Sequence, residues 1–270
     1  MSRLLPGRHP ALCRQLTEVL DTHGVPVRFL DGTRDIWARD YCPIQVAPNR
    51  FVKFRYFPDY LRGDQENLVT DDNTICRQLD SLGRCQRSDI NLDGGNVVAT
   101  RTTAIVTDKV YRENAGRQRR QLRRDFREAL ELTDCVLIPK EPYDPIGHAD
   151  GVVRFLDEGL VVVNNYSKVD PAYGIRLRKA LQQAGLTVVE LPHFQERREC
   201  DGIPSAVGNY VNFLRIGQLI IAPAYGVAED DEACRTLTQL CPDAQVVSLP
   251  CTELAREGGV LNCVTWTIKA

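Results

Sequence analysis

A chain of 270 residues that is 43% hydrophobic and 26% charged has the composition of a soluble globular protein, and its net charge of −2 gives it no pull towards nucleic acid or an anionic membrane. No apolar run approaches the roughly 20 residues that span a bilayer, and residues 1–10 carry basic side chains without the apolar stretch of a secretory signal. The cysteines, Cys13, Cys42, Cys76, Cys85, Cys135, Cys200, Cys234, Cys241, Cys251 and Cys263, form no C-x-x-C pair and have no histidine at zinc spacing. No metal is therefore expected, and most of these thiols should be free and buried in a cytoplasmic protein.

In chain order, a helical pattern over 10–23 puts Leu12, Leu16, Val19 and Leu20 on one face and stops at Gly24. A strand is expected over 25–30, leading into a polar loop at Asp40. A second helix is predicted over 72–82 on Ile75, Leu79 and Leu82, ended by Gly83. A third covers 117–132 with Leu122, Phe126, Ala129 and Leu130 inward. Its arginines interleave with Asp125, Glu128 and Glu131, which reads as a solvated outer face and not as a nucleic-acid site. The fourth, over 173–184, uses Leu177, Ala180 and Leu181 before Gly185; the fifth, over 229–240, uses Ala233, Leu237 and Leu240 before Pro242. Strands at 136–138, 186–191 and 246–249 follow the last three helices. Helices should lie outside and strands inside, in one domain over 1–270, because no linker divides the chain.

Polar residues beside Gly or Pro recur ahead of short β-type runs. They are Asp40, Asp93, Asp150 with His148 two residues before it, Asn209 and Cys263, at spacings of 53, 57, 59 and 54. Such a period is the mark of a repeated unit. Five like units closed into a ring would bring these positions to a common axis. His148 and Asp150, as i and i+2 of an extended segment, would share one side.

A thiol, an imidazole and several carboxylates without metal-ligand spacing suit nucleophilic attack on a cationic carbon. Carboxylates fork around a planar guanidinium, and His148 can pass protons near neutral pH. Clustered carboxylates also hold a thiol protonated, so the bound cation should help to form the thiolate.

Five stretches carry a family resemblance. Trp37-Ala38-Arg39-Asp40-Tyr41-Cys42-Pro43 resembles W-x-R-D-x-G-P, and Asp93-Gly94-Gly95-Asn96 resembles an acidic-G-G motif. Gly147-His148-Ala149-Asp150 with Arg154-Phe155 resembles G-H-x-D-x-x-x-R-F. Tyr210-Val211-Asn212-Phe213 also matches, and Gly258-Gly259 with Cys263-Val264-Thr265 resembles G-G-x-x-H-C-x-T. In these the chain resembles the guanidine-modifying superfamily, on its agmatine deiminase and bacterial peptidylarginine deiminase branch. Cys42 and Asn262 depart from that pattern, where the family has Gly and His.

The resemblance implies a five-bladed α/β propeller, the pentein fold, of five strand-helix units. It implies that Cys263 is the nucleophile, that His148 is the general acid and base, and that Asp40 and Asp150 grip the guanidinium. Asp93 would hold His148 or support the pocket. Asp93, Trp37, Arg39 and Asn209 are the expected substrate-binding positions, with packing the competing role for Trp37 and Tyr225 and a structural one for Asn209. The implied reaction turns a guanidino compound, agmatine or a related arginine derivative, into a ureido product and ammonia without a cofactor. The implied partner is a small cationic substrate, and a homo-oligomer is compatible with it. The same residues suit an amidinotransferase, or a guanidino-binding protein without turnover.

Overall fold

The computed structural model describes residues 1–79 and 83–269 of a mixed α/β fold. Its plan repeats. Strands Ile44–Ala47, Arg50–Arg55 and Arg84–Asn91 form one three-stranded sheet; Val98–Ala99, Thr103–Thr107 and Asp134–Ile138 form the second. The third holds Val153–Phe155, Leu160–Asn164 and Thr187–Leu191, and the fourth Leu214–Ile216, Leu219–Ala224 and Gln245–Pro250. In each, the first two strands pair antiparallel and the third pairs parallel to the second. A parallel neighbour needs a long crossover, and a helix supplies it each time: Asp72–Leu79, Arg119–Ala129, Pro171–Gln183 and Ala228–Leu240.

The helices form where the apolar spacing places them, with ends set by local chemistry. In Pro171–Gln183 the Asp170 side chain accepts from Tyr173 N at 2.9 Å and moves the start ahead of the expected Tyr173. Arg119–Ala129 begins later than 117 because Gln118 is extended, and it buries Leu122 and Phe126 while its arginines face outward. The second helix runs Asp72–Leu79; its expected end at Leu82 lies outside the described residues. Besides its own sheet, Pro171–Gln183 packs on strand Asp134–Ile138 of the preceding one, and Ala228–Leu240 does the same on Thr187–Leu191. Helix Pro10–Thr22 likewise packs on Gln245–Pro250.

One expectation is corrected. Residues 25–30 are not a strand. Pro26 lacks an amide donor, and among the described residues the strand partner is the short segment at Met1–Arg3, which gives one bridge, Ser2 to Leu30, with Arg3 N donating to Leu30 O at 2.9 Å. Val25, Val27 and Phe29 pack on the core instead. The described residues form four three-stranded sheets of this plan and a small ribbon, Glu199–Cys200 with Ile203–Pro204. The segment after Cys263 lies against the first unit without a sheet of its own. Trp266 Nε1 donates to Pro43 O at 2.8 Å, and Gln45 exchanges hydrogen bonds with the Lys269 backbone at 2.7 and 2.8 Å.

The polar positions sit in matching places. Short helical turns, Ala38–Tyr41, Gly94–Asn96 and Ala149–Gly151, come just before the leading strand of the first three sheets. A turn at a strand entry points its side chains off the sheet's end, so equivalent turns in successive sheets face a common space.

Candidate active site

Trp37, Asp40, His148, Asp150, Asn209 and Cys263 all line one cavity of about 190 Å³. Asp40, His148 and Asp150 are buried at 6%, 5% and 1% exposure, and Cys263 keeps partial exposure to the cavity. Asp93, wholly buried, lies behind that wall.

His148 is held from both sides. Its Nε2 donates to Asp93 Oδ2 at 2.9 Å, and its Nδ1 lies 3.4 Å from Asp40 Oδ1. Asp40 Oδ1 also accepts from Gly95 N at 3.2 Å. Gly95 is required by this closeness, because a Cβ there would stand against Asp40 Oδ1 and 2.6 Å from His148 Nδ1. Behind Asp93, Lys109 Nζ reaches the same Oδ2 at 2.8 Å.

Charges follow from these contacts. Burial disfavours the imidazolium, but Asp40 and the hydrogen bond to Asp93 outweigh it, Lys109 pulls the other way, and the His148 pKa rises to about 9. Burial also works against the Asp93 carboxylate, yet Lys109 and His148 bring it down to about 2. Asp40 is pushed up to about 7 by burial, with His148 opposing and Asp150 adding to the rise. Burial, then Asp150 and Asp40, drive the Cys263 thiol well above its usual range. The resting pair near neutral pH is a thiol and an imidazolium.

The nucleophile turn is pinned by amides. Asn212 Oδ1 lies 3.4 Å from Cys263 Sγ and accepts from Asn262 N at 3.1 Å, while its Nδ2 donates to Asp150 O at 3.1 Å. Asn262 Nδ2 donates to Asp150 Oδ2, and Cys263 Sγ lies 3.9 Å from that same oxygen. Asn209, the position that carried the repeat register, lines the cavity but donates to Gly151 O at 2.9 Å. The asparagine that meets the thiol is Asn212, three residues on within the quoted Tyr-Val-Asn-Phe stretch.

Arg39 lies behind the lining. Its backbone N donates to Cys263 O at 3.0 Å and its Nε to Asn262 O at 3.3 Å, so it ties the Asp40 turn to the nucleophile turn. Burial lowers its pKa, with Asp150 opposing. Trp37 lines the cavity and lies over Gly259, where a Cβ would fall 2.5 Å from the indole. Tyr225 is buried, and its hydroxyl donates to Asn209 O at 2.9 Å. Asp35, absent from the sequence-derived set, also lines the cavity; burial and then Asp40 push it up to about 8. Lys109 was missed as well, because it belongs to no motif. Among the described residues no group of three or more His, Cys, Asp or Glu has metal-holding geometry, and all ten cysteines are free, six of them buried.

Three-stranded α/β units that deliver a thiol, an imidazole and carboxylates to one cavity define a protein of the pentein type, and solved structures share the fold. A substrate-bound agmatine deiminase of C. jejuni matches with a TM-score of 0.75 and 18% identity, over 93% of this chain and 78% of that one. DDAH from Pseudomonas aeruginosa, complexed with citrulline, matches with a TM-score of 0.56 and 14% identity, over 96% and 86%. The chain belongs to the Porphyromonas-type peptidyl-arginine deiminase family, whose model matches residues 9–268. It is also similar to the agmatine deiminase of Stutzerimonas stutzeri (strain A1501), at 27% identity over 86% of this chain and 73% of the relative. That of Pseudomonas aeruginosa (strain LESB58) is 26% identical with the same coverage.

Proposed function

We propose that this protein is a hydrolase that deiminates a guanidino compound, foremost agmatine, to the ureido product, N-carbamoylputrescine, and ammonia. The observation that carries the reading is the meeting of Cys263, His148, Asp40 and Asp150 in one cavity. The sequence match to agmatine deiminases supports it.

In the proposed mechanism Asp40 and Asp150 bind the guanidinium, and its charge offsets the carboxylates that hold the thiol protonated. The Cys263 proton then leaves to solvent, and the thiolate adds to the guanidinium carbon. His148, as imidazolium, gives its Nδ1 proton to the departing nitrogen. The C–N bond breaks, ammonia leaves, and a thiouronium remains on Cys263. Neutral His148 next takes a proton from water as the oxygen adds to the same carbon. As the C–S bond breaks, the added hydroxyl loses its remaining proton to solvent, which yields the neutral ureido product and returns the thiolate. Asp93 holds the imidazole throughout.

Further along the cavity the lining is rich in acceptors: Glu141, Asp144, Asn164 and Asn209. The Oδ1 atoms of Asn164 and Asn209 are buried without a hydrogen-bond partner. Burial, then Asp144, pushes Glu141 up to about 8, so a tail that ends in an ammonium meets Asp144 and two unpartnered amide oxygens, whereas a tail carboxylate meets the same acceptors without a donor to offer them. This favours agmatine over free arginine. The reading includes a single domain over 1–270 built as a five-bladed propeller, with helix Pro10–Thr22 and the segment after Cys263 as the fifth blade. The bonds from Gln45 to Lys269 and from Arg39 to Cys263 support that closure.

The test is release of ammonia and ureido product from agmatine, arginine, methylated arginine and arginyl peptides, with no added amine. Turnover should be fastest with agmatine. No release from any of them would reject the proposal, and product formed only with an added amine would mean amidino transfer.

A further inference from the structure

Lys109 is 2% exposed, in the short helix Lys109–Glu113, and stands outside every motif that carries the site. Its Nζ lies 2.8 Å from Asp93 Oδ2, 3.1 Å from Glu113 Oε1 and 3.5 Å from Asp59 Oδ1. It also sits 4.9 Å from the centroid of the Tyr60 ring, which packs T-shaped with His148 at 5.9 Å between ring centroids. His148 and Lys109 thus share one oxygen of Asp93, while Asp93 Oδ1 makes no hydrogen bond. Both side-chain hydrogen bonds of Asp93 pass through Oδ2.

We propose that Lys109 is a positioning residue for the deimination: by sharing Asp93 Oδ2 with His148 it fixes the carboxylate that orients the imidazole, and it offsets that carboxylate's charge so that His148 can release its proton. The proposal rests on the deiminase reading. His148 has opposite jobs in the two halves of the reaction, giving a proton to the leaving nitrogen and then taking one from water. Two carboxylates face the ring, Asp40 from the Ala38–Tyr41 turn and Asp93 from the turn before Gly94–Asn96, and Tyr60 is a neutral edge. Cys263 and Asp150 line the same cavity. With both carboxylates unopposed, the ring would hold its proton through the second half. Lys109 is the cation that opposes them, and it lowers the imidazole's affinity for the proton while Asp40 and Asp93 raise it. Burial disfavours the lysine's charge, but Asp93, Glu113 and Asp59 outweigh that and keep it charged. A lysine closing a structural ion cluster would need no contact with the oxygen that serves His148.

The experiment compares Lys109→Met, Lys109→Arg and, to keep the charge balance should Lys109→Met not fold, Lys109→Met with Glu113→Gln. Two signals are read. One is the NMR titration of the His148 ring without substrate, assigned by its absence in His148→Gln. The other is the intact mass of the protein during turnover of agmatine. In Lys109→Met and the double variant the His148 midpoint should move up by about one pH unit. The adduct on Cys263 should then accumulate to most of the enzyme, because its hydrolysis slows about tenfold while its formation is spared. Lys109→Arg should restore both signals. An unmoved midpoint, or turnover lost without adduct, would leave Lys109 a fold support and overturn the proposal. If the parent releases ammonia from no guanidino compound, the deiminase reading fails by that result alone, and the titration still decides whether Lys109 governs His148.

Discussion

Asn262 Nδ2 donates to Asp150 Oδ2 at 2.5 Å, joining two residues 112 positions apart. The residue beside the thiol therefore orients a carboxylate proposed to grip the substrate. An amide oxygen at position 150 can accept the same bond, and one at position 40 can still accept from Gly95 N. Asp150→Asn and Asp40→Asn should accordingly keep the fold, because the charge lost at position 40 relieves a buried carboxyl pushed up to about 7 while it also removes a partner of the His148 imidazolium. Each should lose roughly 2–5 kcal/mol of transition-state stabilisation for a cationic substrate, read as kcat/KM. A variant that melts far below the parent yet turns over normally would mark that aspartate as a turn residue.

Cys263 should be labelled in preference to the other nine cysteines by a cationic amidine alkylator. In the empty cavity its thiol is held protonated by burial and by Asp150 and Asp40, so a neutral haloacetamide should react slowly. The cationic reagent neutralises those carboxylates as it binds and should react about 10–100-fold faster. Peptide mapping after partial labelling gives the site. Equal labelling across several cysteines, or full activity in Cys263→Ser, contradicts the assignment.

Gly95→Ala should impair turnover more than folding. The added methyl falls between Asp40 and His148, and either side chain must move to admit it. A displaced imidazole should lower kcat by at least about tenfold. Tm should fall by only a few degrees, because the affected groups face a cavity. Steady-state kinetics beside a melting curve checks the pair of effects.

His148 should stabilise the fold in a pH-dependent way. Its pKa is raised from 6.5 to about 9, so the folded state binds the proton more tightly than the unfolded chain. That stabilisation is fully present below pH 6.5 and is lost as pH rises through 9, on the order of 2–4 kcal/mol in all. The stability gap between the parent and His148→Gln, measured in urea across this range, should narrow as pH rises. A gap that is constant or widens would mean that the imidazole is neutral in the folded protein.

Much of this molecule is legible in sequence because its plan is local. A helix face needs apolar residues at 3.6-residue spacing, and a turn ahead of a strand needs Gly or Pro beside a polar side chain. Leu122 with Phe126, and Asp93 with Gly94, met those conditions without reference to the rest of the chain. The near-constant spacing from Asp40 to Cys263 then brought the site residues into one set, since equal units present equal positions to a common space. Other features depended on partners distant in sequence. Whether 25–30 became a strand turned on the partner beside it, and the short Met1–Arg3 segment could not build a ladder. Arg39 reads in sequence as a cation beside the site, but its direction was decided by the carbonyls of Asn262 and Cys263. The choice of Asn212 over Asn209 at the thiol, and the arrival of Lys109 at Asp93 Oδ2, were likewise decided in three dimensions. A hydrogen bond is won or lost within a few tenths of an ångström, and residue spacing alone does not carry that precision.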